Sequence, residues 1–366
     1  MGTVHAFSTL IQNIEMQTNV GRMASSLVYS TALINVTLAV YVGHILYRKF
    51  SPQVLIFFIA ILPVIGLLIS NSENWIGWII GYGIFFGFSS GLGYGLSLYI
   101  VSLVTENEKL GFALGLVTAS YAFGAVIFSM LYPFLFDHFG FKNGYIFGLL
   151  ILSSIVIIGL ILFSISRVRI GQASITNQKK DLKETYIFKL WLGYFLGVFA
   201  GLMLIGHAVP MINSFGGSTS ISITAITLMT LGSGIAGIYA GWLVDRFGCK
   251  RPLLAILMIN TGAILALSIM TNVNLLIMLL VLIASLYGAV IAIYPTLVSH
   301  IVGSNLSAAA YGKVFTAWGS AGLISPSIAG WLYEKNNSYD GPILLTLVLS
   351  IVAVLIIWTM KYSIKE

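Results

Sequence analysis

Few side chains in this sequence can bind a solute or carry a proton inside an oily interior. His207 is the first of them. It lies in Leu190–Val244, a stretch with no Lys, Arg, Asp or Glu. An imidazole there can bind a carboxylate or exchange a proton near neutral pH. Lys313 interrupts a later apolar run and reads as about one turn from the cytoplasmic end of its helix; snorkelling to the interface is the alternative role. Tyr287 and Tyr294, spaced i, i+7, share a helical face and can donate hydroxyl hydrogen bonds. Tyr94 and Ser97 share another face, and His5 stands near the start of the chain. His300 falls at a helix end and reads as structural. An ionisable group inside a membrane helix is a functional candidate by default.

The elements that must hold these groups follow from composition. Only 8% of the 366 residues are charged, against about 25% in a soluble domain, and 58% are hydrophobic. Charge-free stretches of membrane-crossing length recur: Met23–Tyr47, Pro52–Ser72, Asn74–Thr105, Leu110–Phe136, Asn143–Ser166, Val314–Tyr333 and Gly341–Met360. Leu190–Val244 and Pro252–Gly312 are each long enough for two crossings, divided at Asn213–Ser220 and Thr271–Asn274. About 11 full spans result. Continuous apolarity without strict alternation predicts helices, not a barrel. The expectation is an all-α integral membrane protein.

The net charge of +7 is a matter of topology, not of nucleic-acid binding. With the Arg48/Lys49 loop on the cytoplasmic side, most cations fall there, including Lys109, Arg167, Lys189, Arg246, Lys250, Arg251 and Lys365. The outer segments keep Arg22, Lys142 and Lys335. This positive-inside bias predicts a cytoplasmic C-terminus and an inner or plasma membrane location. The single cysteine, Cys249, falls in a cytoplasmic loop and leaves no intrachain disulfide. A basic region followed by an apolar run, as in a cleavable signal, is not evident at the start.

The long polar stretch Arg167–Lys189 divides the chain near its middle, and the two sides repeat. Tyr41-Val-Gly43…Arg48 matches Tyr239-Ala-Gly241…Arg246, and Thr118-Ala119…Gly124 matches Thr316-Ala317…Gly322, both at an offset of 198 residues. The expected organisation is a first bundle over 1–166, a linker over 167–187 and a second bundle over 188–366. The same offset places the first half's opening helix about ten residues short, through a misassigned start or a true truncation. His5–Ile14 as a surface helix is the alternative.

Residues 241–251 read Gly-Trp-Leu-Val-Asp-Arg-Phe-Gly-Cys-Lys-Arg: a helix end followed by a tight basic turn. Gly241 permits close helix approach and Gly248 a turn conformation. Asp245 either pairs with Arg246 or faces the positive N-terminus of a neighbouring helix. Lys250 and Arg251 complete the turn. At these residues the chain resembles the major facilitator superfamily, whose signature recurs between helices 2 and 3 and between helices 8 and 9. The resemblance implies two pseudo-symmetric six-helix bundles and a cytoplasmic latch made by these loops. The first copy is eroded to Gly43-His-Ile-Leu-Tyr47-Arg48-Lys49, with Tyr47 in the aspartate's place.

A narrower resemblance is to the oxalate/formate antiporter family. Leu190-Trp-Leu-Gly-Tyr-Phe-Leu-Gly-Val-Phe-Ala-Gly-Leu-Met-Leu-Ile-Gly-His207, Tyr294-Pro-Thr-Leu-Val and Tyr311-Gly-Lys-Val-Phe-Thr-Ala-Trp-Gly-Ser-Ala-Gly322 look like its helices 7, 10 and 11. The resemblance implies small carboxylates as substrates and a cavity lined by helices 1, 4, 7 and 10. The family's oxalate carriers use an arginine in helix 8 and a lysine in helix 11. Here Ala236 and Gly237 stand near the first place and Trp318 near the second. A dianion without paired cations would be very unfavourable in a low dielectric. The expected substrate is therefore a monocarboxylate or a neutral small solute.

No P-loop, H-E-x-x-H or metal cluster occurs, so neither an enzyme nor a cofactor is expected. The partners expected are a small-molecule substrate, the lipid bilayer and protons as a candidate co-ion, without nucleic acid; the chain is expected to be a monomer. A non-transporting receptor or decayed transporter is the competing reading, on the strength of the short opening helix and the eroded latch.

Overall fold

The computed structural model describes the backbone of residues 2–70, 74–166 and 184–360, and the side chains there except at 2, 5, 8, 22, 23, 184, 185, 219 and 220. The linker calls at 167–183, with Arg167 and its neighbours, lie outside the described residues, as does Lys365.

The described residues are helical almost throughout. A 3-10 segment, Gly2–Thr9, and α1, Ile11–Thr18, are followed by α2, Arg22–Lys49, and α3, Pro52–Ser70. A continuous helix then runs through α4, Trp75–Trp78, a π-helical stretch, Ile79–Phe86, and α5, Gly87–Val104. α6 covers Leu110–Ile165 but breaks at Gly140, whose φ of 74° leaves the helical region. The second half holds α7, Glu184–Ser214; α8, Thr219–Phe247; α9, Lys250–Ile269; α10, Val273–Val302; α11, Ser304–Asn336; and α12, Asp340–Thr359.

Nine described helices are long and apolar enough to cross a membrane. α6 supplies two crossings, one on each side of Gly140. α11 falls outside the nine because glycine, serine and Lys313 dilute its apolarity, yet its 33 residues reach about 50 Å at 1.5 Å per residue. The eleven long helices expected from the sequence are therefore present. The expected breaks coincide with side-chain caps. Ser218 accepts from the Ile221 N–H at 3.3 Å and Asn272 from the Asn274 N–H at 2.8 Å.

The helices pack as two compact units. One contains residues 1–103 and 123–179, the other residues 104–122 and 180–366. The opening limb of α6 thus packs with the second half of the chain.

Within the first unit, the stub before α2 is interior. Val4, Ala6, Leu10 and Ile14 are fully buried. Phe7 stacks on Tyr29 at 5.5 Å and meets Tyr82 at 5.2 Å, and the Tyr82 hydroxyl donates to the Val4 carbonyl. These are not the contacts of a surface helix, and the helical stretch runs on to Thr18. Ser25 Oγ donates to Glu15 Oε1 at 2.8 Å, tying α1 to α2.

The π-helix and α5 carry small residues every fourth position against α2. A β-carbon on Gly87 would lie 2.7 Å from the Ala32 carbonyl oxygen, and one on Gly83 would lie 2.9 Å from Thr31 Cβ. Helices in lipid gain cohesion from such close backbone approach. Leu92 and Leu96 of α5 then pack with Ala39, Leu55 and Ile59. Gly87→Val is expected to lower stability by about 1–3 kcal/mol, the usual cost of forcing extra carbons into a tight contact. Thermal unfolding in detergent measures it, with Gly262→Ala, whose β-carbon meets nothing within 4 Å, as the control that should not be destabilised.

Candidate functional site

Two groups of residues in the second unit can carry function. The first surrounds the turn between α8 and α9. Asp245, on the last turns of α8, points at the start of α6. Its Oδ1 accepts the Gly111 N–H at 2.6 Å and its Oδ2 the Phe112 N–H at 2.7 Å. The first N–H groups of a helix have no partner within it, so a carboxylate there satisfies two of them and meets the positive end of the dipole. Of the two roles open to Asp245 in the sequence, the structure shows this one. Gly241 makes the approach possible, since a β-carbon there would collide with Gly111 O; one on Gly115 would lie 2.8 Å from Gly237 O.

The neighbouring cations serve other contacts. The Arg246 guanidinium lies 5.6 Å from the Trp242 ring centroid and 5.5 Å from that of Phe247. Lys250 Nζ donates to the Trp358 carbonyl at 2.9 Å and the Met360 carbonyl at 2.7 Å, capping the end of α12. Gly248 adopts φ 75°, which a β-carbon resists, and so lets α8 end sharply. Arg251 is exposed on the first turn of α9. Cys249 is fully buried, with Sγ 3.5 Å from His300 Nδ1. A helix start usually favours a thiolate. Here burial wins and, with the Asp245 charge added, pushes the thiol up to about 12.

The first-half counterpart is different in kind. Tyr47 stacks on Tyr99 at 5.3 Å, and its hydroxyl lies against Gly95 and Gly43. Arg48 closes α2 beside it. Tyr47 thus joins the packing of its own unit, with no carboxylate at that position.

The second group lies where α7, α10 and α11 meet. Trp318 Nε1 donates to the Tyr287 hydroxyl at 2.8 Å, and Gly201 on α7 makes room for the Tyr287 ring. Two sequence candidates therefore come together. Tyr294 does not join them: it is fully buried and stacks on Tyr194 at 4.1 Å. Lys313 is exposed. Because α11 begins at Ser304, Lys313 sits more than two turns into the helix, not one as expected. Thr316 and Ser320 follow on the same face. Trp191 Nε1 donates to Thr316 Oγ1 at 2.9 Å, and Thr316 Oγ1 donates to the Lys313 carbonyl at 2.7 Å.

His207 is tied to the far end of α11. Its Nε2 lies 3.0 Å from the Pro326 carbonyl and its Nδ1 3.4 Å from the Tyr339 hydroxyl. A carbonyl can only accept, so Nε2 carries a hydrogen, and in the neutral ring Nδ1 accepts from Tyr339. Burial, with Tyr333 nearby, pushes the Tyr339 hydroxyl up and keeps it a donor. In the first unit Tyr94 is buried, while Ser97 is exposed and donates to the Gly93 carbonyl at 2.8 Å. His5 falls on the Gly2–Thr9 segment, and its side chain lies outside the described residues.

Trp191 and Thr316 come together in the structure without standing out as candidates in the sequence. The available signal was polar residues at 313, 316 and 320, a helical stripe in an apolar run.

Comparison with known proteins supplies the family. The Major Facilitator Superfamily description matches residues 2–207 and 190–365. The chain belongs to this superfamily. Solved superfamily structures share its fold. The fucose:proton symporter of E. coli superposes with a TM-score of 0.73 at 16% identity, covering 99% of this chain and 97% of that one. The human organic anion transporter TETRAN gives 0.73 at 12% identity, covering 97% and 96%. Among curated relatives, the oxalate:formate antiporter of Oxalobacter formigenes is 23% identical over 278 residues, which is 72% of this chain and 66% of the antiporter. Monocarboxylate transporter 12 of Xenopus laevis is 28% identical over 144 residues, 38% of this chain and 31% of that protein. The matched stretch thus spans under two thirds of either relative. The relatives are transporters by name, not enzymes. The superfamily and the apolar helices make this an integral membrane protein.

Two predictions follow from the α8–α9 turn. Asp245→Ala is expected to destabilise the second unit by about 1–2 kcal/mol, the loss of a charged helix cap; Asp245→Asn should recover part of this in a detergent unfolding assay. Cys249 should resist maleimide at pH 7–8, because the thiol is covered and its thiolate forms only near pH 12. Mass spectrometry of the folded against the unfolded protein would show labelling only after unfolding.

Proposed function

We propose that this protein carries a small organic anion, a monocarboxylate, across the cell membrane by alternating access of its two halves, with the C-terminus in the cytoplasm. The single observation that supports it most is Lys313. It is an exposed cation more than two turns inside α11, continued along the same face by Thr316 and Ser320. An ammonium on the apolar stretch of a membrane helix is costly unless an anion, a headgroup or a water-filled path meets it. One cation balances one carboxylate and not two. The names of the curated relatives, an oxalate:formate antiporter and a monocarboxylate transporter, agree with that class.

The Tyr287–Trp318 pair is the second part of the proposed binding surface. Its hydrogen bond fixes both rings across α10 and α11. His207 is the candidate proton carrier. Protonation would give Nδ1 a hydrogen and reverse the bond to Tyr339, whose hydroxyl oxygen would then accept it. Transport of a neutral solute is the competing reading.

Proteoliposomes holding the full chain test this. Saturable uptake of labelled monocarboxylates is expected, with at least a tenfold loss in Lys313→Gln and partial retention in Lys313→Arg. Uptake of neutral solutes that Lys313→Gln leaves unchanged would favour the competing reading and remove Lys313 from the mechanism. His207→Gln should flatten the pH dependence of uptake while substrate affinity at a fixed pH stays near that of the parent.

A further inference from the structure

The face that carries Lys313 is not only polar. On α7, Phe188, Trp191 and Phe195 follow one another at helical spacing and form a ladder of rings. The Phe188 and Trp191 planes lie within 7°, and those of Trp191 and Phe195 within 8°, with centroids 6.4 and 5.4 Å apart. Trp191 and Phe195 are half-buried and Phe188 is exposed, so part of each ring is open. The Trp191 indole N–H is already used by Thr316. What this side chain offers a ligand is therefore its apolar surface and not a hydrogen-bond donor. Thr316 in turn donates to the carbonyl of Lys313. The rings are thus bonded, through Thr316, to the turn of α11 that carries Lys313.

From this juxtaposition we infer that the carboxylate bound by this protein carries a planar apolar body, such as an aryl or arylalkyl group, and that Trp191 with Phe195 selects it. The inference rests on the proposed anion transport and names its substrate class. Lys313 holds the carboxylate, where a charge-assisted bond is strong in a poorly solvated setting. The ring ladder covers the body, where parallel aromatic faces add to plain apolar burial. A formate- or acetate-sized ion would use the lysine and leave the rings idle. A dicarboxylate would bring a second charge against the apolar faces of the ladder. Thr316 is a positioning residue: it sets the angle of the indole and touches the ligand through it.

The test is binding to the purified full chain in lipid nanodiscs, read by microscale thermophoresis, with benzoate, phenylacetate, acetate, oxalate and benzamide as probes. Benzoate or phenylacetate is expected to bind at least tenfold more tightly than acetate, and oxalate and benzamide more weakly than either aryl acid. Trp191→Ala should abolish the aryl preference and leave acetate binding unchanged. Trp191→Phe should keep most of the preference, which a purely structural role for the indole N–H would not. Thr316→Val, which breaks the same bond from the other side, should keep the preference to about the extent that Trp191→Phe does. Lys313→Gln should weaken all carboxylates alike.

Equal binding of acetate and benzoate, or an aryl preference that survives Trp191→Ala, would overturn the inference while leaving anion transport standing. Binding of benzamide as tight as benzoate, insensitive to Lys313→Gln, would instead sink the anion reading itself. If Trp191→Ala does not fold, judged by its elution and unfolding profile, Phe195→Leu carries the same comparison, since it shortens the ladder without removing the indole bond.

Discussion

An apolar side chain gains little by leaving lipid tails for the side of another apolar helix. The helices of this protein must therefore hold one another by shape and by a small number of polar bonds. Both devices are visible, and both depend on residues without bulk. Gly83 and Gly87 bring the central helix of the first unit onto the backbone of α2. Gly241, Gly237 and Gly111 do the same for α8 and the opening limb of α6. Once two backbones are that close, a short carboxylate can reach across. Asp245 does so, and places a full charge where two backbone N–H groups would otherwise lack partners.

The two repeats have used the same scaffold differently. In the second, the turn after α8 is a polar junction: a carboxylate on a helix start, a lysine on a helix end, and a guanidinium laid on aromatic rings. In the first, the corresponding position is an aromatic packed into its own unit. Replacing Asp by Tyr exchanges an electrostatic tie for apolar and stacking contacts. Those contacts are insensitive to the charge state of a partner, whereas a helix cap weakens when its carboxylate takes up a proton. The two ends of the repeat should respond to pH unequally for this reason.

Much of the fold was legible because the bilayer enforces a simple rule. Apolar runs of about twenty residues with polar breaks are enough to place helices, and the breaks at Asn272 and Ser218 carried their caps in plain view. α11 was legible as a helix, but its start was not. Ser304 lies ten positions before the apolar stretch expected at Val314, and that difference puts Lys313 more than two turns from the start of its helix. Site residues were harder. The partner of Asp245 is 134 positions away and is a backbone amide, which no residue type announces. Trp191 and Thr316 are 125 positions apart and chemically ordinary; only the helix crossing makes them a pair. Tyr294 shows the opposite error. Its spacing from Tyr287 is helical, yet one lies in the packed core and the other at its edge. Periodicity names a face; it does not say how deep each position on that face is set.

The lysine that closes α12 has a consequence for how the protein is made. Lys250 and the Met360 carbonyl it holds are 110 residues apart. During synthesis the amine is in place, at the mouth of an inserted helix, long before its acceptor leaves the ribosome. The final helix thus arrives to find a docking post already standing. A chain stopped short of that point would leave the ammonium to water and the end of α12 without its cap.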